Sequence, residues 1–260
     1  MSKKRKLFSG IAILLVIALI IILFPLGVFA DGATVTDAVY GDSSVTDSVY
    51  SNLTVTNAVY SDPSHFSYEI SGSDAIITGY TGPGGNIVIP DSIEGYSVVG
   101  IKGSYRGTSY KPGAFENNPN IVSVVIPDGV TFIGENAFSG SVNLTSVTLP
   151  STLNNIADGV FANTSLTSIV IPSNVTRIGM SAFKGTKLES VVIPPTVTEI
   201  GIGAFEHCYN LKSIIIENPN TIVSSFIGTI PQQTTIVGHV GSSAEEYAIA
   251  NNINFKDITT

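Results

Sequence analysis

The sequence predicts a β-rich α/β solenoid, a stack of short repeating coils closed by a small β cap at one end and a short helix near the other. Three observations predict it. A unit of 22 to 23 residues recurs: LTSIVIPSNVTRIGMSAFKGTK from Leu166, LTSVTLPSTLNNIADGVFANTS from Leu144, IVSVVIPDGVTFIGENAFSGSVN from Ile121 and LESVVIPPTVTEIGIGAFEHCYN from Leu188. A fixed period in this range marks a solenoid, because one such unit cannot bury its apolar side chains alone and must stack on a neighbour. Within each unit the apolar residues keep fixed places, and the segments on either side of the regular units read as covers for the open ends of the stack.

Composition bounds the function. Of 260 residues, 12 are Lys or Arg and 20 are Asp or Glu, and four of the basic ones are Lys3, Lys4, Arg5 and Lys6. The remaining chain is strongly acidic and repels phosphate backbones, so no nucleic-acid partner is expected. With one cysteine, Cys208, there is no intramolecular disulfide and no CxxC metal or redox motif. Absence of Trp and a low charged fraction suit a β surface covered by Thr, Ser and Asn.

In chain order, residues 2–6 are basic and Leu7 to Ala30 lacks any charge. Pro25, and Val28-Phe29-Ala30 ahead of Asp31, suit a signal peptide cleaved after Ala30. The length of the apolar stretch suits a membrane anchor whose basic start stays in the cytoplasm. Either outcome puts residues 31–260 on the exported side. A ten-residue period then runs from Val35 to Tyr60, as VTDAVY, VTDSVY and VTNAVY joined by turn-rich links. Short strands and an extended spacer are both compatible with it, and the scarcity of apolar residues favours a loosely ordered stalk over 31–65, with Pro63 near its end.

Tyr68 and Ile70, then Ile76, Thr78 and Tyr80, alternate as two strands around the turn-forming Ser71-Gly72-Ser73-Asp74. Phe66 to Thr81 is read as the N-terminal cap. Ile87 to Pro90 and Ala114-Phe115 match the later units, with a longer polar insertion from Lys102 to Pro112 between them, so 66–120 is cap plus a divergent first repeat.

Across 121–234 the columns align by hand. Ile121, Leu144, Leu166, Leu188 and Leu211 open each unit, and Val147, Ile169, Val191 and Ile214 follow three residues on. Leu149, Ile171, Ile193 and Ile216 come two later, an alternation that turns both sets inward on a strand. Pro127, Pro150, Pro172 and Pro194 end those strands, since proline cannot donate to a ladder. Ile133, Ile156, Ile178 and Ile200 form another inward column, followed by Gly134, Gly179 and Gly201, where a bend of positive φ is expected, with Ala157 as the exception. Phe138, Phe161, Phe183 and Phe205 form a phenylalanine spine, extended by Phe115 and Phe226.

The resulting motif, LxxLxLPxxLxxIGxxAFxxxxx, resembles the leucine-rich repeat of BspA-like (Treponema-type) bacterial surface proteins over about Phe66 to Ile258. The resemblance implies a right-handed leucine-rich repeat stack with a parallel concave sheet, and a role in adhesion or in binding host and matrix proteins. It brings no catalytic residues. The closing segment, 235–260, resembles that family's terminal unit: a strand, a short helix through Ala244 to Ala250, and a last strand. Ser242 and Ser243 suit the helix N-terminus, Tyr247 and Ala248 its inner face, and Asn251 and Asn252 its end.

No chemistry converges. His65, His207 and His239 share no metal-ligand spacing, Gly82-Pro83-Gly84-Gly85 lacks the Lys and Ser/Thr of a phosphate loop, and Cys208 occupies a packed-turn position held by Ser141 and Asn118 elsewhere. No cofactor, metal or catalysis is expected. The candidate binding face lies between the inward positions: Ser123 and Val125, Ser146 and Thr148, Ser168 and Val170, Ser190 and Val192, Ser213 and Ile215. These make a serine column beside a β-branched column, either plain strand propensity or a stripe for an extracellular or host protein or a glycan, with self-association as the alternative.

Overall fold

The computed structural model describes residues 58–106, 109–224 and 228–259. Each regular coil has three sides, and the sequence shows why the chain turns where it does. The first side is a strand of the main sheet: β4 (Gly85–Val88), β9 (Ile121–Val125), β11 (Ser146–Thr148), β14 (Ser190–Ile193), β16 (Ser213–Ile216) and β18 (Thr235–Gly238). The proline after the strand opens a turn, its carbonyl accepting the N–H three residues on, as from Val130 to Pro127 and from Val175 to Pro172, both 3.0 Å. The turn leads into a two-residue strand of a second sheet, among them β10 (Phe132–Ile133), β12 (Asn155–Ile156), β13 (Arg177–Ile178), β15 (Glu199–Ile200) and β17 (Ile222–Val223). The third side is a run of turns that carries the phenylalanine. Strand pairing from coil to coil is parallel in both sheets.

The glycines after the inward isoleucines do not have positive φ. At Gly134, Gly179 and Gly201 glycine answers instead to close approach between coils. A Cβ on Gly134 would lie 2.3 Å from the Gly103 nitrogen, and one on Gly201 2.8 Å from the Met180 nitrogen. Positive φ is found two residues to either side of the phenylalanine: at Asn136, Gly159, Ser181 and Gly203 before it, and at Asn117, Gly140, Asn163, Gly185 and His207 after it. Asn and Gly tolerate that region best, which is why these columns are rich in them.

The phenylalanine spine forms as expected over its described length. Phe115, Phe138, Phe161, Phe183 and Phe205 are buried, with successive ring centroids 4.7, 5.6, 5.8 and 5.4 Å apart and planes within 24° of parallel. Their N–H groups donate to the next coil without a break, from Phe115 to Ala137, Phe138 to Val160, Phe161 to Ala182 and Phe183 to Ala204, at 2.8–3.0 Å. Phe226 lies outside the described residues.

The two sheets are less continuous than the spine. The main sheet runs β4-β9-β11, then resumes at β14; between them Leu166 to Ile171 forms no strand. That segment keeps one backbone bond to a neighbouring coil, from the Glu189 N–H to the Thr167 carbonyl (3.2 Å). The second sheet is interrupted between β10 and β12.

At the N-terminal end, β2 (Phe66–Ser71) and β3 (Asp74–Tyr80) form an antiparallel hairpin, and β3 pairs parallel with β6 (Tyr96–Ile101) of the second sheet. Tyr80 packs on Phe115 at 5.8 Å and Phe66 on Tyr80 at 5.0 Å, with planes tilted by 30° and 51°, so the cap prolongs the aromatic column without continuing its parallel stack. The short β5 (Ser92–Ile93) pairs antiparallel with β6. β1 (Ala58–Tyr60), the end of the third ten-residue unit, pairs parallel with β4 at the edge of the main sheet, so this part of the expected stalk is an ordered strand. Residues 61–65, also placed in the stalk, are ordered as well: Ser61 is buried and Pro63–His65 form a single 3-10 turn capped by Asp62. Residues 31–57 and the leader or anchor expected over 1–30 lie outside the described residues. Among the described residues no helix is long and apolar enough to cross a membrane. The Lys102 to Pro112 insertion folds as a hairpin of β7 (Tyr105–Arg106) and β8 (Tyr110–Lys111).

The C-terminal end is covered by α1 (Ser243–Ala250). Ser242 Oγ caps it by accepting from the Glu245 N–H (3.3 Å), and Ala244, Tyr247 and Ala248 are buried against the last coil. Tyr247 Oη accepts from the Ile230 N–H (3.1 Å), and β19 (Asn254–Asp257) pairs parallel with β18.

Candidate interaction face

Alternation along each main-sheet strand sends one residue in two into the core. Val124, Val147, Ile169, Val191 and Ile214 are buried, so the residues that flank them face solvent. Ser123, Val125, Ser146, Thr148, Ser213 and Ile215 are half-buried by their neighbours in the sheet, while Ser168 and Ser190 are exposed. Val170 and Val192 are the most open apolar members, 63% and 46% exposed.

Register assembles these residues into columns in two blocks. In the first, Ser123 pairs with Ser146 and Val125 with Thr148. In the second, Ser190 pairs with Ser213 and Val192 with Ile215. Ser168 and Val170 sit between the blocks on the segment that joins neither ladder. The same register adds positions that the sequence reading missed: Asn86 and Val88 before Ser123 and Val125, then Thr235 and Val237 followed by Asn254 and Lys256 at the far end. Their coils depart from the repeat motif, so only pairing brings them into line. Ser123 Oγ donates to Asn86 Oδ1 at 2.8 Å, which ties the first two members of the polar column.

Lys256 is the one charged residue in these columns, at their end. Charges gather instead on the rim where the strands begin: Lys212 Nζ lies 2.9 Å from Glu189 Oε2, and this hydrogen bond holds the Glu189 carboxyl below its ordinary value. Chemistry on the face is therefore that of hydroxyls, an amide at either end of the polar column (Asn86 and Asn254) and branched methyl groups.

The other sequence candidates are dispersed. His65 is half-buried at the N-terminal cap, His239 Nε2 lies 3.0 Å from the Glu217 carbonyl near the C-terminal end, and His207 stacks on Tyr209 at 5.6 Å. Cys208 is fully buried, its thiol 3.0 Å from the Phe183 carbonyl and 3.2 Å from Thr186 Oγ1. Burial pushes its pKa up, which keeps it a thiol and opposes a nucleophilic role. Among the described residues no three His, Cys, Asp or Glu side chains cluster as metal ligands.

Residues 108–227 match the family model described as the BspA type leucine rich repeat region, in six copies. These repeats are BspA-type leucine-rich repeats. Among solved structures, the BspA-type stack is similar to the T. pallidum leucine rich repeat protein, with 26% identity and a TM-score of 0.55 over 76% of this chain and 98% of that one. A leucine-rich repeat protein from Bacteroides ovatus matches at 19% identity and TM-score 0.45, over 68% of this chain and 55% of that one. A leucine rich cell surface protein from Faecalibacterium prausnitzii matches at 26% identity and TM-score 0.31, over 60% and 53%. No curated protein matches the chain. None of the matches indicates a catalytic family.

Proposed function

We propose that this protein is exported and displayed at the cell surface, where it binds a protein or glycan partner through the main-sheet face, with residues 31–57 as a spacer. The observation that carries the reading is the pair of solvent-facing columns, serine beside Val, Thr or Ile, held in register and nearly free of charge. An apolar and hydroxyl-bearing stripe of this regularity favours contact by area and hydrogen bonds over ion pairing. The basic start and uncharged run of residues 2–30 support export. BspA-type repeats support a binding scaffold rather than an enzyme.

One observation favours self-association as a second reading: β19 pairs with β18 alone among the described strands, which leaves its outer edge open to another chain.

The test is binding of the full-length chain to immobilised extracellular-matrix proteins and glycans, beside a variant carrying Val170→Glu and Val192→Glu. The expected result is binding by the parent and its loss in the variant, with thermal unfolding unchanged because both side chains are exposed. Equal binding by the two proteins excludes the face. Sedimentation of the same samples separates the second reading, which requires a mass that rises with concentration.

A further inference from the structure

In the four regular coils that start at Ile121, Leu144, Leu166 and Leu188, length varies at a single corner, between the phenylalanine turn and the main-sheet strand. One residue lies between Thr164 and Leu166 and between Thr186 and Leu188, but two lie between Ser141 and Leu144 and between Cys208 and Leu211. The spare residue points outward: Val142 is 53% and Tyr209 73% exposed. At Tyr209 this outward residue is an aromatic ring, and the ring is backed. His207, in the left-handed column filled by Asn or Gly in the other coils, stacks against it with planes 23° apart. The backing fixes the orientation of the tyrosine and leaves its ring largely open to solvent.

Beside the ring lies an open depression of about 580 Å³ lined by Glu189, Tyr209, Asn210, Leu211, Lys212 and Gln233. Its polar groups are positioned. Lys212 and Glu189 are paired at 2.9 Å, and Gln233 Nε2 donates to the Cys208 carbonyl (3.3 Å), leaving the amide oxygen as an acceptor. Donors and acceptors are balanced and the pair is neutral overall, so an anion finds its ammonium already compensated. An apolar peptide would have to desolvate the ion pair without replacing its water contacts, at a substantial cost. A sugar hydroxyl both donates and accepts, and so replaces water on either partner. The C–H face of a pyranose matches the apolar face of a tyrosine.

We propose that this corner is a saccharide-binding subsite, with a pyranose ring on Tyr209 backed by His207, and its hydroxyls held by Glu189, Lys212, Asn210 and Gln233. The subsite lies at the rim of the main sheet, at the start of β14 and β16, and does not use the serine and valine columns, so it stands or falls apart from the reading given above.

The experiment is calorimetric titration of the full-length chain with cellohexaose, chitohexaose and mannohexaose, followed by saturation-transfer NMR on any that binds. At least one is expected to bind saturably. Tyr209→Ala is expected to weaken that binding by about tenfold or more, as loss of an aromatic anchor does, while Tyr209→Phe stays within about twofold because the ring, not the hydroxyl, makes the contact. His207→Asn, which suits the left-handed backbone, is expected to weaken binding without loss of thermal stability. Val170→Glu is expected to leave it unchanged. Absence of binding to all three sugars, or a Tyr209→Ala variant that binds like the parent, overturns the proposal.

Discussion

Ala157 stands one coil beyond Ile133 without the backbone hydrogen bond that glycine makes at the equivalent place in other coils. Gly134 donates to the Ile101 carbonyl, Gly179 to Ile156 and Gly201 to Ile178, each at 2.8 Å, and the second sheet breaks where Ala157 replaces the glycine. A Cβ at Gly134, Gly179 or Gly201 would meet the neighbouring backbone within 2.8 Å. Lys102 and Ser224, in the coils that flank the regular ones, make the same bond to Ile77 (2.8 Å) and Ile200 (3.0 Å) with a side chain in place. The methyl of Ala157 thus opposes the bond only where the regular coils approach that closely. Ala157→Gly is therefore expected to close the ladder. Hydrogen exchange at the residue 157 amide should slow by about tenfold or more, while global stability moves by no more than about 1 kcal/mol, since glycine also loosens the unfolded chain. An unchanged exchange rate would disprove the explanation.

The aromatic spine predicts a steep contrast between inner and outer substitutions. Phe161→Ala removes a fully buried ring stacked on both sides and is expected to cost about 3–5 kcal/mol in urea unfolding. Exposed Val142→Ala should change stability by less than about 0.5 kcal/mol. Comparable losses at the two sites would contradict the assignment of the core.

Two glycines should respond to alanine for different reasons. At Gly72, in the β2–β3 turn, φ is +67° and open space surrounds the Cβ position, so Gly72→Ala carries backbone strain alone, about 1 kcal/mol. Gly201→Ala meets the backbone of the preceding coil at 2.8 Å and should destabilise by more, with loss of protection at the Gly201 amide. Thermal unfolding of the pair decides it; a milder effect at Gly201 than at Gly72 contradicts the close-approach account.

Cys208 sets an alkaline limit. Its buried thiol has a raised pKa, so in the folded state it stays protonated after the unfolded chain has begun to ionise. The contribution is complete below the ordinary thiol pKa and is lost as pH rises through the raised, folded value. Urea midpoints measured against pH should thus fall more steeply for the parent than for Cys208→Ser, whose hydroxyl can make the same bond to the Phe183 carbonyl as Ser141 makes to Phe115 at 2.6 Å. Parallel profiles for the two proteins would remove this role from the thiol.

Period and side-chain columns were legible in the sequence because both follow from repetition: inward Ile, Val and Leu, the proline turns and the phenylalanine spine all stand where their spacing places them. Positive φ was assigned to the wrong column because glycine alone does not reveal why it is needed. Columns that mix Gly with Asn, as at Asn117, Gly140 and Asn163, mark left-handed backbone. Within the four regular coils a column of Gly broken only by Ala157 marks close packing, while Lys102 and Ser224 take the same place in the coils on either side. Of the candidate face, the solvent-facing alternation was readable, but the separation of Ser168 and Val170 from both ladders depends on backbone spacing that no residue type announces. The Tyr209 corner had a signal in the sequence, units of 23 residues from Ile121 and Leu188 beside units of 22 from Leu144 and Leu166, whose meaning is visible only when the spare residue is located in space.

That corner also bears on how such a chain can diversify. Between units of 22 and 23 residues, the inward isoleucines, the glycine approach and the ring stack keep their alignment, because the additional residue is absorbed outside the core. A one-codon insertion or deletion here leaves the buried columns in phase, whereas the same change within a strand would shift every later side chain to the opposite face. Each coil thus offers one place where length is nearly neutral and where any side chain, from valine to tyrosine, can be tried at the surface without renegotiating the interior.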